Sequence, residues 1–183
     1  MTSAELVVVA FEDYLAHEQF SDRRHEWVAG HVYVMAGGTE RHDNLAGLLY
    51  LKLAPQALAD GCRPYQHNRK VKIGQVAYYP DLLVVCRDAL PPDRQYERDL
   101  SVVVEVLSPS TEGVDRREKA LVYSSAPSFE RYLLVDPDRR RIEVATLGPA
   151  GLQWQSFGPG DVVPYVDLDV DALYDELDAV TLT

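Results

Sequence analysis

The chain has 183 residues, with 18 Lys and Arg against 29 Asp and Glu, so its formal net charge is −11 at pH 7. With 46% hydrophobic and 26% charged residues it has the composition of one globular domain and differs from disordered chains. The acidic balance disfavours non-specific nucleic-acid binding, which depends on Lys and Arg that neutralise phosphates. Apolar runs such as Leu6–Phe11 are shorter than the ~18 residues of a membrane-spanning helix, so we expect no membrane partner.

Two features predict the compartment. Glu5, and no basic segment, precedes the first apolar run, so a secretory signal is not expected. Cys62 and Cys86 have neither the spacing of a metal site nor the density of a disulfide framework. We therefore expect a cytoplasmic protein in a reducing environment.

Hydrophobic periodicity and turn signals predict the secondary structure along the chain. The predicted elements are a helix over Phe11–Gln19, a hairpin of His25–Val28 and His31–Met35 around Ala29-Gly30, a long helix from the cap Thr39 to about Ala59, strands over Arg69–Ile73, Asp81–Cys86 and Leu100–Leu107, a helix over Val114–Ser125, strands over Arg131–Val135, Arg141–Thr146 and Leu152–Phe157, and an acidic helix near Val170–Leu177.

Connection lengths indicate how these elements are arranged. The segment between Leu107 and Arg131 contains a helix and is long enough for a right-handed crossover between parallel strands. The three strands before it lack such helices and are expected to form an antiparallel meander. The result is a mixed α/β sheet in the order helix–three strands–helix–strand, with a helix on each face. We expect one domain over 1–183, with an N-terminal helix and hairpin at 11–36, a core at 39–136, and C-terminal strands and an acidic helix at 141–178.

Glu105 is the first candidate for chemistry, because it lies within the apolar strand Leu100–Leu107. A buried carboxylate is costly unless it is paired, hydrogen-bonded or bound to a metal. The alternative interpretations are a glutamate on the solvent face of an edge strand and one that is paired with an arginine.

Asp81 is the second candidate. It follows Pro80, which fixes the backbone, and it opens an apolar strand. Pro-Asp is also a common turn dipeptide, so the residue alone means little. Two acids on neighbouring strands can, however, converge on one hard divalent cation such as Mg²⁺.

Lys119 is the third candidate. On the predicted helix Val114–Ser125 it shares a face with Asp115 and Tyr123. The helix begins near the end of the Glu105 strand, where an ammonium could orient a water or stabilise charge on a phosphate. The alternative is a surface ion pair between Asp115 and Lys119.

Glu26, His42 and Asp115 are possible accessory residues. Glu26 lies in a hairpin strand and could supply an extra acid, or it could be a carboxylate at the hairpin edge. His42 falls in the first helical turn, where the helix dipole disfavours an imidazolium. It could contact phosphate or water, or form an ordinary hydrogen bond.

These motifs together resemble one protein family. The residues are Tyr79-Pro80-Asp81, then Val104 to Thr111, then Asp115 and Lys119, with His25-Glu26-Trp27-Val28, Gly30, Gly37-Gly38, His42 and Tyr132 to Pro137 in support. The set is similar to the Uma family of restriction-endonuclease-like proteins, a bacterial branch of the PD-(D/E)XK nuclease superfamily. The resemblance covers about Phe11 to Leu177 and implies a restriction-endonuclease-like core with an added N-terminal hairpin and C-terminal strands.

The resemblance implies a Mg²⁺-dependent endonuclease site, with Mn²⁺ as a possible substitute. Asp81 and Glu105 would hold the metal, with the backbone carbonyl of Val106 as a further ligand. The usual lysine position of the superfamily is Leu107 here, so Lys119 would take that role from the following helix. Candidate contacts to nucleic acid, with DNA expected, are Lys70, Lys72, Ser108 and Ser110, and the superfamily implies a homodimer.

Two functions follow from these observations. The first is a metal-dependent endonuclease that hydrolyses phosphodiester bonds. The second is a non-catalytic protein with a nuclease fold that acts as a binding or assembly module, which Leu107 and the acidic balance favour.

Overall fold

The computed structural model describes residues 8–86, 91, 93–164 and 166–181. The helices are α1 (Phe11–Glu18), α2 (Glu40–Ala59), α3 (Glu112–Val114), α4 (Ala120–Ser124) and α5 (Val170–Thr181), with a π-helical segment (Asp115–Lys119) between α3 and α4. The strands are β1 (His25–Val28), β2 (His31–Val34), β3 (Arg63–Gln66), β4 (Lys70–Ile73), β5 (Val76–Tyr78), β6 (Leu82–Val85), β7 (Tyr96–Glu97), β8 (Val102–Val106), β9 (Arg131–Val135), β10 (Ile142–Gly148), β11 (Gly151–Phe157), β12 (Val162–Val163) and β13 (Leu168–Asp169).

The central layer is a six-stranded sheet in the order β11-β10-β9-β8-β6-β3. Strand β6 pairs antiparallel with β8, and β8 pairs parallel with β9 through the helical crossover. The predicted crossover is therefore confirmed. The mixed α/β sheet is confirmed with it.

A five-stranded sheet in the order β2-β1-β5-β4-β7 lies beside the central one. Its β1–β2 hairpin turns at Ala29 and Gly30, whose φ angles are 48° and 88°. Two residues with positive φ match the turns that fit the twist of two-residue hairpins. The hairpin predicted at this point is confirmed.

The predicted meander is wrong in its first strand. Strand β4, within the predicted Arg69–Ile73, pairs with β5 and β7 in the five-stranded sheet. The antiparallel neighbour of β6 is β3 instead. Because β3 contains Pro64, its sequence is typical of a loop. Proline is tolerated here because β3 lies at the edge of its sheet.

Helices cover both faces of the central sheet, as predicted. On one face α2 and α5 pack together, and Leu45, Leu49 and Leu173 are buried against the sheet. The hydroxyl of Thr39 accepts a hydrogen bond from the amide of His42 at 3.2 Å, so the predicted cap of α2 is confirmed. On the other face α4 buries Tyr123 against the sheet.

Cys62 and Cys86 form a disulfide. Cys62 directly precedes β3, and Cys86 directly follows β6. These strands pair Arg63 with Val85, which brings the two cysteines opposite each other. The disulfide shows that our expectation of reduced cysteines was wrong. The sequence did not reveal it, because the two cysteines are 24 residues apart and meet only through the pairing of β3 with β6. The cytoplasmic location stays a prediction.

None of the described helices has the length and apolar character needed to cross a membrane.

Candidate active site

Glu105 faces the α4 side of the central sheet. Along β8 the side chains alternate, so Val104 and Val106 pack towards α2 while Glu105 points to the opposite face. Its carboxylate is 4% exposed, and its Oε1 accepts hydrogen bonds from Lys119 Nζ at 3.1 Å and from the Tyr123 hydroxyl at 2.9 Å. Neither alternative interpretation of Glu105 applies, because the residue is buried in a central strand and its partner is a lysine.

Lys119 connects three acids. It ends the π-helical segment, and its Nζ lies 3.1 Å from Glu105 Oε1, 3.1 Å from Asp115 Oδ1 and 3.3 Å from Glu26 Oε1. Lys119 and Asp115 are 5% and 1% exposed. The surface ion pair considered from the sequence is therefore wrong, because this pair is buried. A π-helical turn inside a helix is frequent at functional sites.

The cluster of Glu26, Glu105, Asp115 and Lys119 has more negative than positive groups. Oε1 of Glu26 and Oδ1 of Asp115 are buried without a hydrogen-bond partner among the described residues, apart from their ion pairs with the ammonium. Burial raises the pKa of Glu105. Lys119 acts to lower this pKa, whereas the neighbouring acids raise it further. Burial likewise raises the pKa of Glu26. One more positive charge would relieve this repulsion.

The pKa of Lys119 is affected in the opposite sense. Burial disfavours the charged ammonium, but Glu105, Glu26 and Asp115 outweigh that effect and hold the pKa of Lys119 well above its usual range. The side chain is therefore a fixed cation at neutral pH. It can donate hydrogen bonds to an anion, but it does not act there as a free base.

Asp81 lies at the start of β6 and is held from three sides. Its Oδ2 accepts a hydrogen bond from the amide of Val106 at 2.8 Å, and His42 Nε2 lies 3.4 Å from the same oxygen. His67 Nδ1 lies 3.6 Å from Oδ1. Burial acts to raise the pKa of Asp81, but both histidines and the amide outweigh it and hold the pKa well below its usual range.

His42 is charged in this setting, contrary to the sequence expectation. Its contact with Asp81 raises the pKa of His42 to about 9, although burial acts to lower it, and Asp43 adds to the rise. The two carboxylates outweigh the helix dipole. His42 is thus a cation next to Asp81.

The strand pairing brings Asp81 and Glu105 to the same end of the central sheet. Leu82 pairs with Val104 in the antiparallel ladder, so the residue before Leu82 and the residue after Val104 are neighbours. The amide of Val106, next to Glu105, donates to the Asp81 carboxylate. The two acids are therefore adjacent, as the sequence hypothesis requires.

Leu107 stands where the family resemblance implies a lysine. Its side chain is 5% exposed and packs in the apolar core on the face of the central sheet to which Glu105 points. Lys119 reaches the same side of the strand from the π-helical segment and contacts Glu105 directly. An ammonium is thus present beside the glutamate, although it comes from a different element.

The four candidate nucleic-acid contacts lie in different settings. Lys70 is only 4% exposed and its ammonium lies over the rings of Tyr14 and Tyr79, so burial makes the expected surface contact wrong. Lys72 is half-buried, over the ring of Phe11. The hydroxyls of Ser108 and Ser110 are 3.0 Å apart in the loop after β8.

His67 is a site residue that the sequence analysis missed. Its φ is 55°, in the left-handed region that non-glycine residues rarely adopt, and its amide donates to the Asp81 carbonyl at 2.9 Å. The pairing of β3 with β6 brings it to Asp81. The only signal in the sequence was a histidine before Asn68 in a turn-like segment.

The donor chemistry of the site suits a hard cation, because carboxylate oxygens dominate it. Within the described residues, no three Asp, Glu, His or Cys side chains form a ready-made metal site. Mg²⁺ commonly uses only one or two protein carboxylates, so Asp81 and Glu105 meet its requirement by type and number. The oxygens of Glu26 and Asp115 that share one ammonium with Glu105 agree with this fit.

Comparisons with known proteins identify the family. Residues 11–171 match the Uma2 family, which is described as "Putative restriction endonuclease". Two proteins of Synechocystis, both called uncharacterized, are similar: slr1290 is 31% identical over 147 residues, covering 78% of this chain and 76% of the relative. The second, sll1609, is 27% identical over 150 residues, covering 78% and 83%.

A solved structure shares the fold. The crystal structure of a "putative nuclease belonging to DUF820" from Anabaena variabilis superposes with a TM-score of 0.73 over 92% of this chain and 99% of the other, at 16% identity. Its fold is that of a restriction-endonuclease-like nuclease, as the resemblance implied. The match over residues 11–171 shows that the chain belongs to the Uma2 family of restriction-endonuclease-like proteins.

Proposed function

We propose that the chain is a divalent-metal-dependent nuclease that hydrolyses phosphodiester bonds in nucleic acid, with DNA as the expected substrate. The observation that carries this proposal is the buried cluster in which Glu26, Glu105 and Asp115 share the one ammonium of Lys119. Buried ionic groups that serve stability alone are usually paired charge for charge. A surplus of carboxylates next to Asp81 is the arrangement that a divalent cation requires.

Asp81 and Glu105 would hold Mg²⁺ or Mn²⁺, with the Val106 carbonyl as a further ligand. When bound, such an ion polarises the scissile phosphoryl group, makes water more acidic and offsets negative charge. The proposal otherwise rests on the chain's own groups.

Lys119 has two roles in this proposal. It fixes Glu105 through a direct hydrogen bond, and its positive charge offsets negative charge that develops on the scissile phosphate. Tyr123 restrains Glu105 from the second side. His42, charged beside Asp81, holds that carboxylate and adds positive charge for the phosphate.

The non-catalytic alternative also has a specific observation in its favour. The described residues contain no ready-made group of three metal ligands, and the usual lysine position is apolar. In that case the nuclease fold would serve as a binding or assembly module. A cleavage assay distinguishes the two functions.

The test measures cleavage of single- and double-stranded DNA and RNA with Mg²⁺, with Mn²⁺ and with EDTA. We expect metal-dependent cleavage by the wild type and a loss of at least about 10²–10³-fold in Asp81→Asn and Glu105→Gln, the usual cost of losing a charged active-site group. Glu118→Gln is the matched control, because Glu118 precedes Lys119 but is exposed. Equal activity in all four proteins would overturn the site, and no cleavage of any substrate would favour the binding module.

The homodimer implied by the resemblance stays a prediction. Sedimentation velocity at micromolar concentration should find a species of twice the chain mass of 20.5 kDa. Monomer alone would overturn it.

A further inference from the structure

A groove opens next to Asp81. Its volume is about 630 Å³, and its walls are the segment from Val34 to Gly37, Arg23 and Arg24 before β1, and the turn that contains His67 and Asn68. Asp81 and Tyr79 also line it. The groove therefore reaches one of the two proposed metal-binding acids from the surface.

Arg23 and Arg24 differ from most basic side chains of this acidic protein. Within the described residues neither forms an ion pair with a carboxylate, and both are exposed. Arg24 donates to the Asn68 amide oxygen at 3.3 Å and lies over the ring of Tyr79, 5.9 Å from its centroid. Most other arginines and lysines are paired with acids, among them Arg41, Lys52, Arg69, Arg94, Arg116 and Arg140.

Arg23 and Arg24, which have no carboxylate partner among the described residues, line the same groove as Asp81 and give it positive charge for an anion. Arginine binds phosphate through two parallel hydrogen bonds, and its charge persists at every relevant pH. If the scissile phosphate lies at Asp81, the two arginines that line the same groove would face the same strand. The backbone of a nucleic-acid strand thus matches the groove in charge.

The size of the groove restricts what enters it. About 630 Å³ is the volume of a small-molecule pocket. A duplex, whose major groove alone is ~12 Å wide, can meet this groove only along the surface and cannot place its paired bases inside it. Docking of a duplex along the surface would also need many basic side chains to neutralise its phosphates, whereas this chain has a net charge of −11.

We propose that the groove formed by Arg23, Arg24, Asn68 and residues 34–37 binds a single nucleic-acid strand, so that unpaired strands are bound in preference to intact duplexes. This inference rests on the proposed nuclease function and specifies its substrate class. DNA and RNA strands share the phosphodiester chemistry that the arginines recognise. The test therefore includes both.

The experiment measures fluorescence anisotropy of labelled oligonucleotides in the Glu105→Gln background, where binding is separated from cleavage. Single-stranded DNA, single-stranded RNA and a DNA duplex of equal length are titrated across a range of salt concentrations. We expect at least one single strand to bind about tenfold more tightly than the duplex. Adding Arg23→Gln and Arg24→Gln should weaken that binding about tenfold and reduce the salt slope by about 1.4, or ~0.7 per lost phosphate contact.

Arg98→Gln with Arg117→Gln is the matched control, because it removes the same charge from exposed positions outside the groove. Arg98 follows β7, which lies at the opposite edge of the five-stranded sheet from β2. Duplex binding as tight as single-strand binding, or equal effects of the two double variants, would overturn the inference. Arginine-dependent strand binding without any cleavage would instead overturn the nuclease proposal alone.

Discussion

Glu97 and Glu105 are both buried glutamates, 0% and 4% exposed, but their surroundings differ in charge. Glu97 receives hydrogen bonds from Arg69 Nε at 2.8 Å and from Arg94 Nε at 2.9 Å, so two guanidinium groups face this one carboxylate. Glu105 shares the single ammonium of Lys119 with Glu26 and Asp115. At Glu97 two cations face one carboxylate, whereas at Lys119 three carboxylates share one cation.

The pKa directions follow from that difference. Burial acts to raise the pKa of both glutamates. At Glu97, Arg94 and Arg69 outweigh burial and lower the pKa. At Glu105 burial prevails over Lys119, and the nearby acids add to the rise. Burial of an acid is thus common to both clusters, whereas too little positive charge is found in the cluster that we propose as the active site.

The largest stability effect is expected at Glu97. Glu97→Gln removes the charge that neutralises two partly buried arginines, so the free energy of unfolding should fall by about 3 kcal/mol. Urea denaturation checks this value. A loss below about 1 kcal/mol would mean that the arginines are well solvated without Glu97, and the two clusters would then differ less than their geometry indicates.

Lys70 extends the comparison to a buried cation. Its ammonium lies 4.5 Å from the centroid of the Tyr14 ring, and burial lowers the pKa of Lys70 from 10.5 to about 8. Between these two pH values the unfolded chain binds more protons than the folded one, so stability rises with pH. Relative to Lys70→Met, the unfolding free energy of the wild type should increase by about 1–2 kcal/mol from pH 8 to pH 9.5.

Lys70→Met is the control for that rise. It lacks the lysine but keeps the buried tyrosines, whose raised pKa values lower stability in both proteins as tyrosines of the unfolded chain begin to ionise near pH 10. An equal rise in the wild type and in Lys70→Met would assign the effect to another group.

The smallest stability effect is expected at Glu105, where the charge is unfavourable. Glu105→Gln should leave the free energy of unfolding unchanged or raise it by about 1 kcal/mol, because it relieves repulsion among the buried acids. Thermal unfolding of this variant beside Glu97→Gln gives the comparison. Similar losses in both variants would contradict a surplus of negative charge around Lys119.

Much of the candidate site was predictable because its parts lie on regular elements. Asp81 and Glu105 lie at the ends of strands with clear apolar patterns, and Asp115 and Lys119 are four residues apart in one helical stretch. Periodicity identified each element, and the crossover rule placed the helix beside Glu105. The coordinates bring these four residues together.

The missed features depend on contacts between distant segments. His67 reaches Asp81 only because β3 pairs with β6, and Pro64 hides β3 as a strand. Lys70 belongs to an alternating strand that resembles a solvent-facing one, yet the rings of Tyr14 and Tyr79 cover it. Alternation predicts which residues share a face of a strand, but not what packs against that face.

We propose that Asp81 and the carboxylates around Lys119 together bind a divalent cation. Isothermal titration of Mn²⁺ into the wild type, Glu105→Gln and the exposed control Glu118→Gln tests it most directly. We predict one site of equal affinity in the wild type and in Glu118→Gln, and binding at least about tenfold weaker in Glu105→Gln. Equal Mn²⁺ affinity in all three proteins would contradict the account.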